Sequence, residues 1–127
     1  MRNLEEINTL TQKIIGCAIE VHRRLGPGLL ESIYEKALCI ELKHNGIKYE
    51  RQKIINVDYR NQSLGIYKID ILVENKVVLE LKSVDRHDPV FEAQLLSYMK
   101  LGSYKIGLLI NFNKELVNKG ISRKILG

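Results

Sequence analysis

Two acidic residues near the middle of the chain have the types and the spacing to hold a divalent cation. The segment 68–82, KIDILVENKVVLELK, is typical of two strands joined by the polar turn 74–76, because apolar residues alternate on both sides of that turn. A three-residue turn places Asp70 directly opposite Glu80. Facing carboxylates destabilise a sheet by about a few tenths of a kcal/mol. A cation bound between them would offset this repulsion, so the register predicts a metal site.

Other arrangements of the same hairpin remain open. In the three-residue register, Lys68 also lies opposite Lys82. Diagonal neighbours across a hairpin are within reach, so each acid could instead pair with a lysine of the partner strand. A two-residue turn would shift the register by one residue and place Asp70 opposite Leu79.

Four further side chains have the chemistry to assist at such a site. Lys82 lies two residues beyond Glu80 on the same face, about 6.5–7 Å along the strand, so its amine could hold a water molecule or a phosphate oxygen. Glu31 follows a glycine-rich bend at the start of a helix, where the helix dipole favours a carboxylate; simple helix capping explains it as well. Gln94 and Tyr98 share a face of a later helix. They could equally be a half-exposed amide and a tyrosine at the edge of the core.

The spacing of apolar residues predicts the elements that position these side chains. We expect helices over 4–25, 29–44 and 89–101, strands over 46–59, 68–73, 77–82 and 104–110, a short helix capped by Asn113 and ended by Gly120, and a tail over 121–126 that is either an edge strand or a frayed helix. Alternation places Ile47, Tyr49, Ile55 and Val57 on one side of the first strand. It assigns one face of the hairpin to the core, the face of Ile69, Ile71, Val73, Val77, Leu79 and Leu81. The order predicts an α/β fold, in which a central mixed sheet is flanked by helices and the strand 104–110 runs parallel to the strand of Glu80.

Length and composition favour one domain that spans 1–127, with 45% hydrophobic residues to build one core. Cys17 and Cys39 lie in apolar helical contexts, which predicts reduced, buried thiols. The first residues, MRNLEEINTL, lack the pattern of a signal peptide, and no apolar stretch approaches the roughly 18 residues of a membrane span. We therefore expect a cytoplasmic protein that has no membrane partner. The net charge of +5 favours an anionic partner, of which nucleic acid is the commonest.

The acids, the lysine and the later polar pair form an ordered set. Asp70, then Glu80-x-Lys82, then Gln94-x-x-x-Tyr98 resembles the signature of the PD-(D/E)XK nuclease superfamily, in its branch related to bacterial recombination exonucleases. The resemblance implies the restriction-endonuclease-like fold of that superfamily. The acid–x–lysine piece is a weak signal alone, whereas the complete set with these spacings is a strong one.

Three other segments resemble a narrower group. Residues 25–34, LGPGLLESIY, resemble the motif that names the small GxxExxY protein family. Residues 92–98, EAQLLSY, and 108–113, LLINFN, are also similar to that family. The resemblance extends over about residues 14–125, with no departure at the motif positions.

The resemblance implies a metal-dependent nuclease. Asp70 and Glu80 would bind Mg²⁺ or Mn²⁺, together with Glu31 and the backbone carbonyl of Leu81. Hard oxygen ligands suit these ions, which commonly keep several water molecules. One metal-bound water, oriented by Lys82, would attack the phosphorus of a phosphodiester in line.

The remaining expectations concern the substrate and the assembly. Gln94 and Tyr98 would position the lysine or the nucleic-acid backbone. His22 is expected to be a helix-surface or packing residue, although it could face the site. DNA is the favoured substrate over RNA. Two other functions remain open, a non-catalytic nucleic-acid-binding module and an interaction subunit that keeps the nuclease fold. A homodimer is an open alternative to a monomer, because a chain this short has little surface to grip DNA and closed twofold dimers are the commonest oligomers.

Overall fold

The structure is a computed structural model that describes residues 2–127, with side-chain surroundings from Leu4 onward. Along the chain it has helices α1 (Arg2–Leu25) and α2 (Glu31–His44), strands β1 (Tyr49–Tyr59), β2 (Gln62–Val73) and β3 (Val77–Lys82), helix α3 (Pro89–Gly102), strand β4 (Ile106–Asn111), a 3-10 helix (Val117–Gly120) and strand β5 (Ile121–Ile125). None of the helices in this range is long and apolar enough to cross a membrane.

The five strands form one mixed sheet in the order β1-β2-β3-β4-β5. Neighbouring strands are antiparallel except β3 and β4, which are parallel and are joined by α3 as a crossover helix. Every residue of β4 is buried, because this strand lies inside a sheet that carries helices on both faces. The predicted α/β architecture and the parallel relation between the strand of Glu80 and the later apolar strand are confirmed.

The helices divide the core into two clusters. Helices α1 and α2 bury Ile14, Leu38 and Leu42 against one face of the sheet, and α3 buries Leu95 and Met99 against the other. The sheet contributes Ile71, Val73, Val77, Leu79, Leu81, Ile106, Leu108 and Ile110 to the first cluster, and Ile55, Ile69, Leu72, Val78 and Leu109 to the second. Each fully buried aliphatic side chain contributes about 1.5–3 kcal/mol, so the two clusters together fix the sheet between its helices. Both cysteines are free and buried in the first cluster, as predicted.

The prediction that Ile55 shares a face with Tyr49, and Ile69 with Ile71, is wrong, because each pair is divided between the two clusters. The φ angle of Gln52 is 53°, which takes β1 out of the extended conformation and interrupts the alternation of its side chains. Tyr49, before this point, packs against the first cluster, whereas Ile55, after it, belongs to the second. Ile69 pairs with Lys53, also beyond the interruption, and joins the second cluster too.

The helix ends follow local chemistry. Helix α1 ends at Leu25, immediately before the glycine-rich bend. Helix α2 is followed by Gly46, whose φ of 70° suits the left-handed turn after a helix. Helix α3 begins with Pro89, and the carboxylate of Asp88 accepts a hydrogen bond from the Val90 N–H at 3.0 Å.

The connection after β4 differs from its prediction. Asn113 does not cap a helix, because its carboxamide donates to Asp85 at 2.6 Å and its N–H donates to the Asn111 side chain at 3.1 Å. The short helix is of the 3-10 type and begins only at Val117. A Cβ at Gly120 would lie 2.3 Å from the Asn111 carbonyl oxygen, so only glycine fits where this connection crosses the end of β4. The tail beyond it is the edge strand β5, which resolves the alternative left open by the sequence.

Candidate active site

The β2–β3 hairpin has the three-residue turn, which excludes the two-residue alternative. Val73 pairs with Val77, as predicted, but the ladder between the two strands ends after the third pair, between Ile71 and Leu79. The predicted opposition of Lys68 and Lys82 is therefore wrong. Their pairing partners are in other strands, Ile54 of β1 for the first lysine and Asn111 of β4 for the second. Strands β2 and β3 separate at this point, while each stays paired to its other neighbour.

Asp70 and Glu80 lie where the two strands separate. The Asp70 carboxylate accepts a hydrogen bond from the Leu81 N–H at 2.9 Å, and the Asp70 N–H donates to Glu80 Oε2 at 3.3 Å. Side chains thus replace the backbone pairs that would have continued the ladder. Among the side chains from Leu4 onward, neither acid forms the diagonal ion pair with a lysine that the sequence left open. The two carboxyl groups lie beside each other, although Asp70 and Glu80 are not a backbone pair of the ladder.

The Glu80 carboxyl is buried, with 7% of its surface exposed. Burial raises its pKa to about 9, and the charge of Asp70 contributes to the same shift. The pair therefore holds a proton at neutral pH in the metal-free protein. A bound cation would replace that proton and allow both oxygens to be charged.

The donor set suits a hard divalent cation. Two carboxylates and the Leu81 backbone supply oxygen atoms, and Mg²⁺ is commonly held by one or two carboxylates with water in its other positions. In the described part of the chain, no three His, Cys, Asp or Glu side chains lie close enough together to hold a metal ion. Glu31 is exposed and lines a cleft of about 360 Å³ with Asp70 and Leu81. It shares this cleft with Asp70, and its role as a ligand stays a prediction.

Hydrogen bonds of Tyr34 account for the position of Glu31. The Tyr34 hydroxyl donates to the carbonyl of Gly26 and accepts from the Leu29 N–H at 3.2 Å. The Tyr34 ring is buried and stacks on Phe112, with ring centroids 4.4 Å apart. The bend before α2 is therefore fixed on the core. Glu31, the first residue of α2, lines the cleft. This geometry gives a physical reason for a glutamate and a tyrosine three residues apart at the start of α2.

Lys82 is the last residue of β3 and points to the opposite side from Leu81. Its carbonyl accepts the Phe112 N–H at 2.9 Å, and its ammonium lies 4.6 Å from the centroid of the Phe91 ring. A cation over an aromatic face at this distance is attracted to it, so the ring restricts the amine. Asn111 supports the segment that follows, because its side chain bonds both the N–H and the carbonyl of Val84, at 3.2 and 3.0 Å.

Tyr98 and Gln94 differ in their relation to the site. Tyr98 is half-buried and packs on Tyr67, with ring centroids 5.2 Å apart. Burial raises the pKa of Tyr98, and the charge of Glu80 raises it further, which places the phenol near the acid pair. Gln94 is exposed, and its side-chain amide forms no hydrogen bond within the described chain. His22 is a buried packing residue, as predicted, and its ring nitrogen lies 2.7 Å from the Lys114 carbonyl oxygen.

Several residues around the site were missed by the sequence reasoning. Phe91 could have been found, because it lies three residues before Gln94 on the same helix face. The buried carboxylate of Glu35 accepts two hydrogen bonds from Arg51, at 2.9 and 2.7 Å, and one from Gln52, at 2.8 Å. This cluster holds Gln52 in its unusual conformation beside the cleft, and no local sequence pattern indicates it.

One comparison with known proteins identifies the family. A family model described as the PD-(D/E)XK nuclease superfamily matches residues 8–124, which is nearly the whole chain. No curated protein and no solved structure matches. The narrower resemblance to the GxxExxY group stays a prediction, and the homodimer stays an open alternative. Proteins of the matched superfamily are generally nucleases that use divalent metal ions, in agreement with the acid pair and the lysine at the separation of β2 and β3. The chain belongs to the PD-(D/E)XK nuclease superfamily.

Proposed function

We propose that this protein is a Mg²⁺- or Mn²⁺-dependent nuclease that hydrolyses phosphodiester bonds, with DNA as its substrate. The observation that carries the proposal is the proximity of Asp70 and Glu80 at the point where β2 and β3 separate, with Lys82 two residues further along β3. The buried Glu80 carboxyl beside Asp70 is unfavourable in its charged form without a cation, and these acids have a basic neighbour suited to a phosphate.

The proposed ligands are the carboxylates of Asp70 and Glu80, the backbone carbonyl of Leu81, and Glu31 from across the cleft. When bound, the cation supplies Lewis acidity and a water molecule of lowered pKa. Asp70 is already oriented by the Leu81 N–H, so little rearrangement of this carboxylate is needed.

The other side chains act on the substrate and the attacking water. The Lys82 ammonium donates hydrogen bonds to the water or to a phosphate oxygen and stabilises the negative charge that develops there. Phe91 limits the positions of that ammonium. Tyr98 lies on the same side, near Glu80, where its hydroxyl can hold the lysine or the strand, and the exposed Gln94 amide is free to contact the nucleic-acid backbone.

The test is a cleavage assay on supercoiled plasmid, on single-stranded DNA and on RNA, with Mg²⁺, Mn²⁺ or a chelator. We expect cleavage of DNA with either metal and none with the chelator. Replacing one catalytic group, as in Glu80→Gln or Lys82→Met, lowers the rate by about 10²–10³-fold, the usual loss when a preorganised electrostatic contact is removed. The matched controls are Glu6→Gln and Lys76→Met, which change the same residue types at exposed positions outside the site.

Equal cleavage by the wild type and both active-site variants would identify a contaminating nuclease and remove the catalytic assignment. Retained DNA binding in that case would instead favour a non-catalytic nucleic-acid-binding module. Faster cleavage of RNA than of DNA would overturn the substrate assignment alone.

A further inference from the structure

A second cavity lies on the other side of β3 from the acidic cleft. It has a volume of about 270 Å³, and its lining includes Lys82, Lys114, Lys119 and Ser122. Because side chains alternate along a strand, consecutive residues of β3 serve the two spaces: Leu81 lines the acidic cleft and the next residue lines this cavity.

The cavity has an excess of positive charge. Within residues 4–127, Lys82, Lys114 and Lys119 form no ion pair with any carboxylate. The acid in the lining, Glu92, is already engaged, because its carboxylate lies 3.2 Å from the amine of Lys124 and 3.5 Å from the His87 ring. Three unpaired ammonium groups in one concave site favour an anion.

The backbone holds two of these lysines close to the end of β4. Gly120 crosses Asn111 so closely that an added Cβ would lie 3.0 Å from Lys114 Cγ as well as 2.3 Å from the Asn111 carbonyl oxygen. The Lys114 carbonyl is also bonded to the His22 ring at 2.7 Å. The connection that carries both lysines is therefore packed against the core and is not a free surface loop.

We propose that this cavity binds a phosphate group of the nucleic-acid strand next to the phosphate that is cleaved. Lys82 lines this cavity and directly follows Leu81, which lines the acidic cleft, so a strand that passes the end of β3 meets Asp70 on one side and Lys114 and Lys119 on the other. This inference rests on the proposed nuclease function and adds a binding contact to it. The phosphate is either internal to the strand or a terminal phosphate.

The test measures binding in a chelator, so that cleavage does not take part. The affinity of a short fluorescent DNA duplex is measured by anisotropy against salt concentration, for the wild type, for Lys114→Gln/Lys119→Gln, and for the matched control Lys43→Gln/Lys48→Gln. The control removes the same charge from exposed lysines beside a different cavity, near the β2–β3 turn. Losing one phosphate contact lowers the slope of log affinity against log salt by about 0.9, which at about 0.1 M salt is an eightfold weaker affinity.

We expect this loss of affinity, with the lower salt slope, in Lys114→Gln/Lys119→Gln. In the control variant we expect a smaller loss of affinity and no change in the slope. An unchanged slope in Lys114→Gln/Lys119→Gln, or equal losses in both double variants, would overturn the inference. Thermal unfolding of each variant establishes that it is folded. Three DNAs separate the two sources of the phosphate: a duplex with a 5′-phosphate, a duplex with a 5′-hydroxyl, and a closed circular DNA used as competitor. If the cavity binds an internal phosphate, the double variant loses affinity for all three. If it binds a terminal phosphate, the loss occurs only with the phosphorylated duplex.

Failure of this inference is distinguishable from failure of the nuclease proposal. If cleavage depends on Glu80 and metal while the slope is unchanged, the strand takes another course and the nuclease proposal stands. If the slope falls but cleavage does not depend on Glu80, the cavity binds phosphate in a protein that is not a nuclease.

Discussion

Replacing Glu80 by glutamine should stabilise the metal-free protein, and increasingly so as the pH rises. The buried Glu80 carboxyl keeps its proton in the folded state up to a pKa of about 9, whereas in the unfolded chain its pKa returns to about 4.5. Unfolding therefore releases a proton at neutral pH, and the free energy of unfolding decreases as the pH rises. The stability contributed by the neutral carboxyl is fully present below about pH 4.5 and is lost progressively toward pH 9.

The magnitude follows from the difference between the two pKa values. Each pH unit between them lowers the free energy of unfolding by about 1.4 kcal/mol, so at about pH 7 the wild type has lost about 3 kcal/mol. Glutamine has the shape of the protonated side chain and can donate to Asp70, but it does not titrate. We therefore expect equal stabilities for the wild type and Glu80→Gln at about pH 4 and a difference of about 3 kcal/mol in favour of the variant at about pH 7.

The assay is urea unfolding of both proteins, in a chelator, at several pH values between these limits. The measurement near pH 4 serves as the internal control, because there the carboxyl is neutral in both states. A difference that does not change with pH, or a variant that is less stable at neutral pH, would refute the reasoning that burial and Asp70 keep Glu80 protonated. Adding Mg²⁺ should stabilise the wild type and leave Glu80→Gln unchanged, since binding to the folded state alone raises stability.

Further predictions concern the residues that support the site. Phe91→Leu keeps the apolar volume but removes the aromatic face under the Lys82 ammonium. It should lower the single-turnover cleavage rate about two- to fivefold, equivalent to about 0.5–1 kcal/mol, without changing the Mg²⁺ affinity. A cleavage rate equal to that of the wild type would contradict this prediction. Tyr34→Phe leaves a backbone N–H unsatisfied and should reduce the free energy of unfolding in urea by about 1–3 kcal/mol, whereas an unchanged value would show that the bend does not need the hydroxyl. Glu35→Gln removes the charge that Arg51 and Gln52 bind and should reduce stability by about 2 kcal/mol, and a neutral result in urea would mean that the cluster is not needed to hold β1.

Local patterns were sufficient to predict the hairpin and the layers of the fold. The three-residue turn follows from a polar triplet between two apolar runs. It brings Asp70 close to Glu80, although the two residues are not a backbone pair of the ladder. The buried strand β4 follows from its lack of charge, and the parallel pairing follows from the helix that precedes it. The turn, the buried strand and the parallel pairing depend on residues close in sequence, and the spacing of their apolar side chains indicates which face is buried.

The errors arise where distant residues decide the conformation. Gln52 adopts a positive φ beside Glu35, whose buried carboxylate binds it and Arg51, and this interrupts the alternation that placed Ile55 on the wrong face. Asn113 was predicted to cap a helix, but it bonds a residue of the loop after β3, 28 positions away in the sequence. The ladder between β2 and β3 ends before Asp70, whose carboxylate accepts the Leu81 N–H, and alternation within the hairpin does not indicate this contact.

The cation site itself is tested most directly by calorimetric titration of Mn²⁺ into the wild type, Asp70→Asn and Glu80→Gln at neutral pH. The account predicts binding to the wild type alone, with a heat that varies with the ionisation enthalpy of the buffer because the ion replaces the proton of Glu80. Equal Mn²⁺ affinity in all three proteins, or a wild type that binds no ion, would contradict the claim that this acid pair is a metal site.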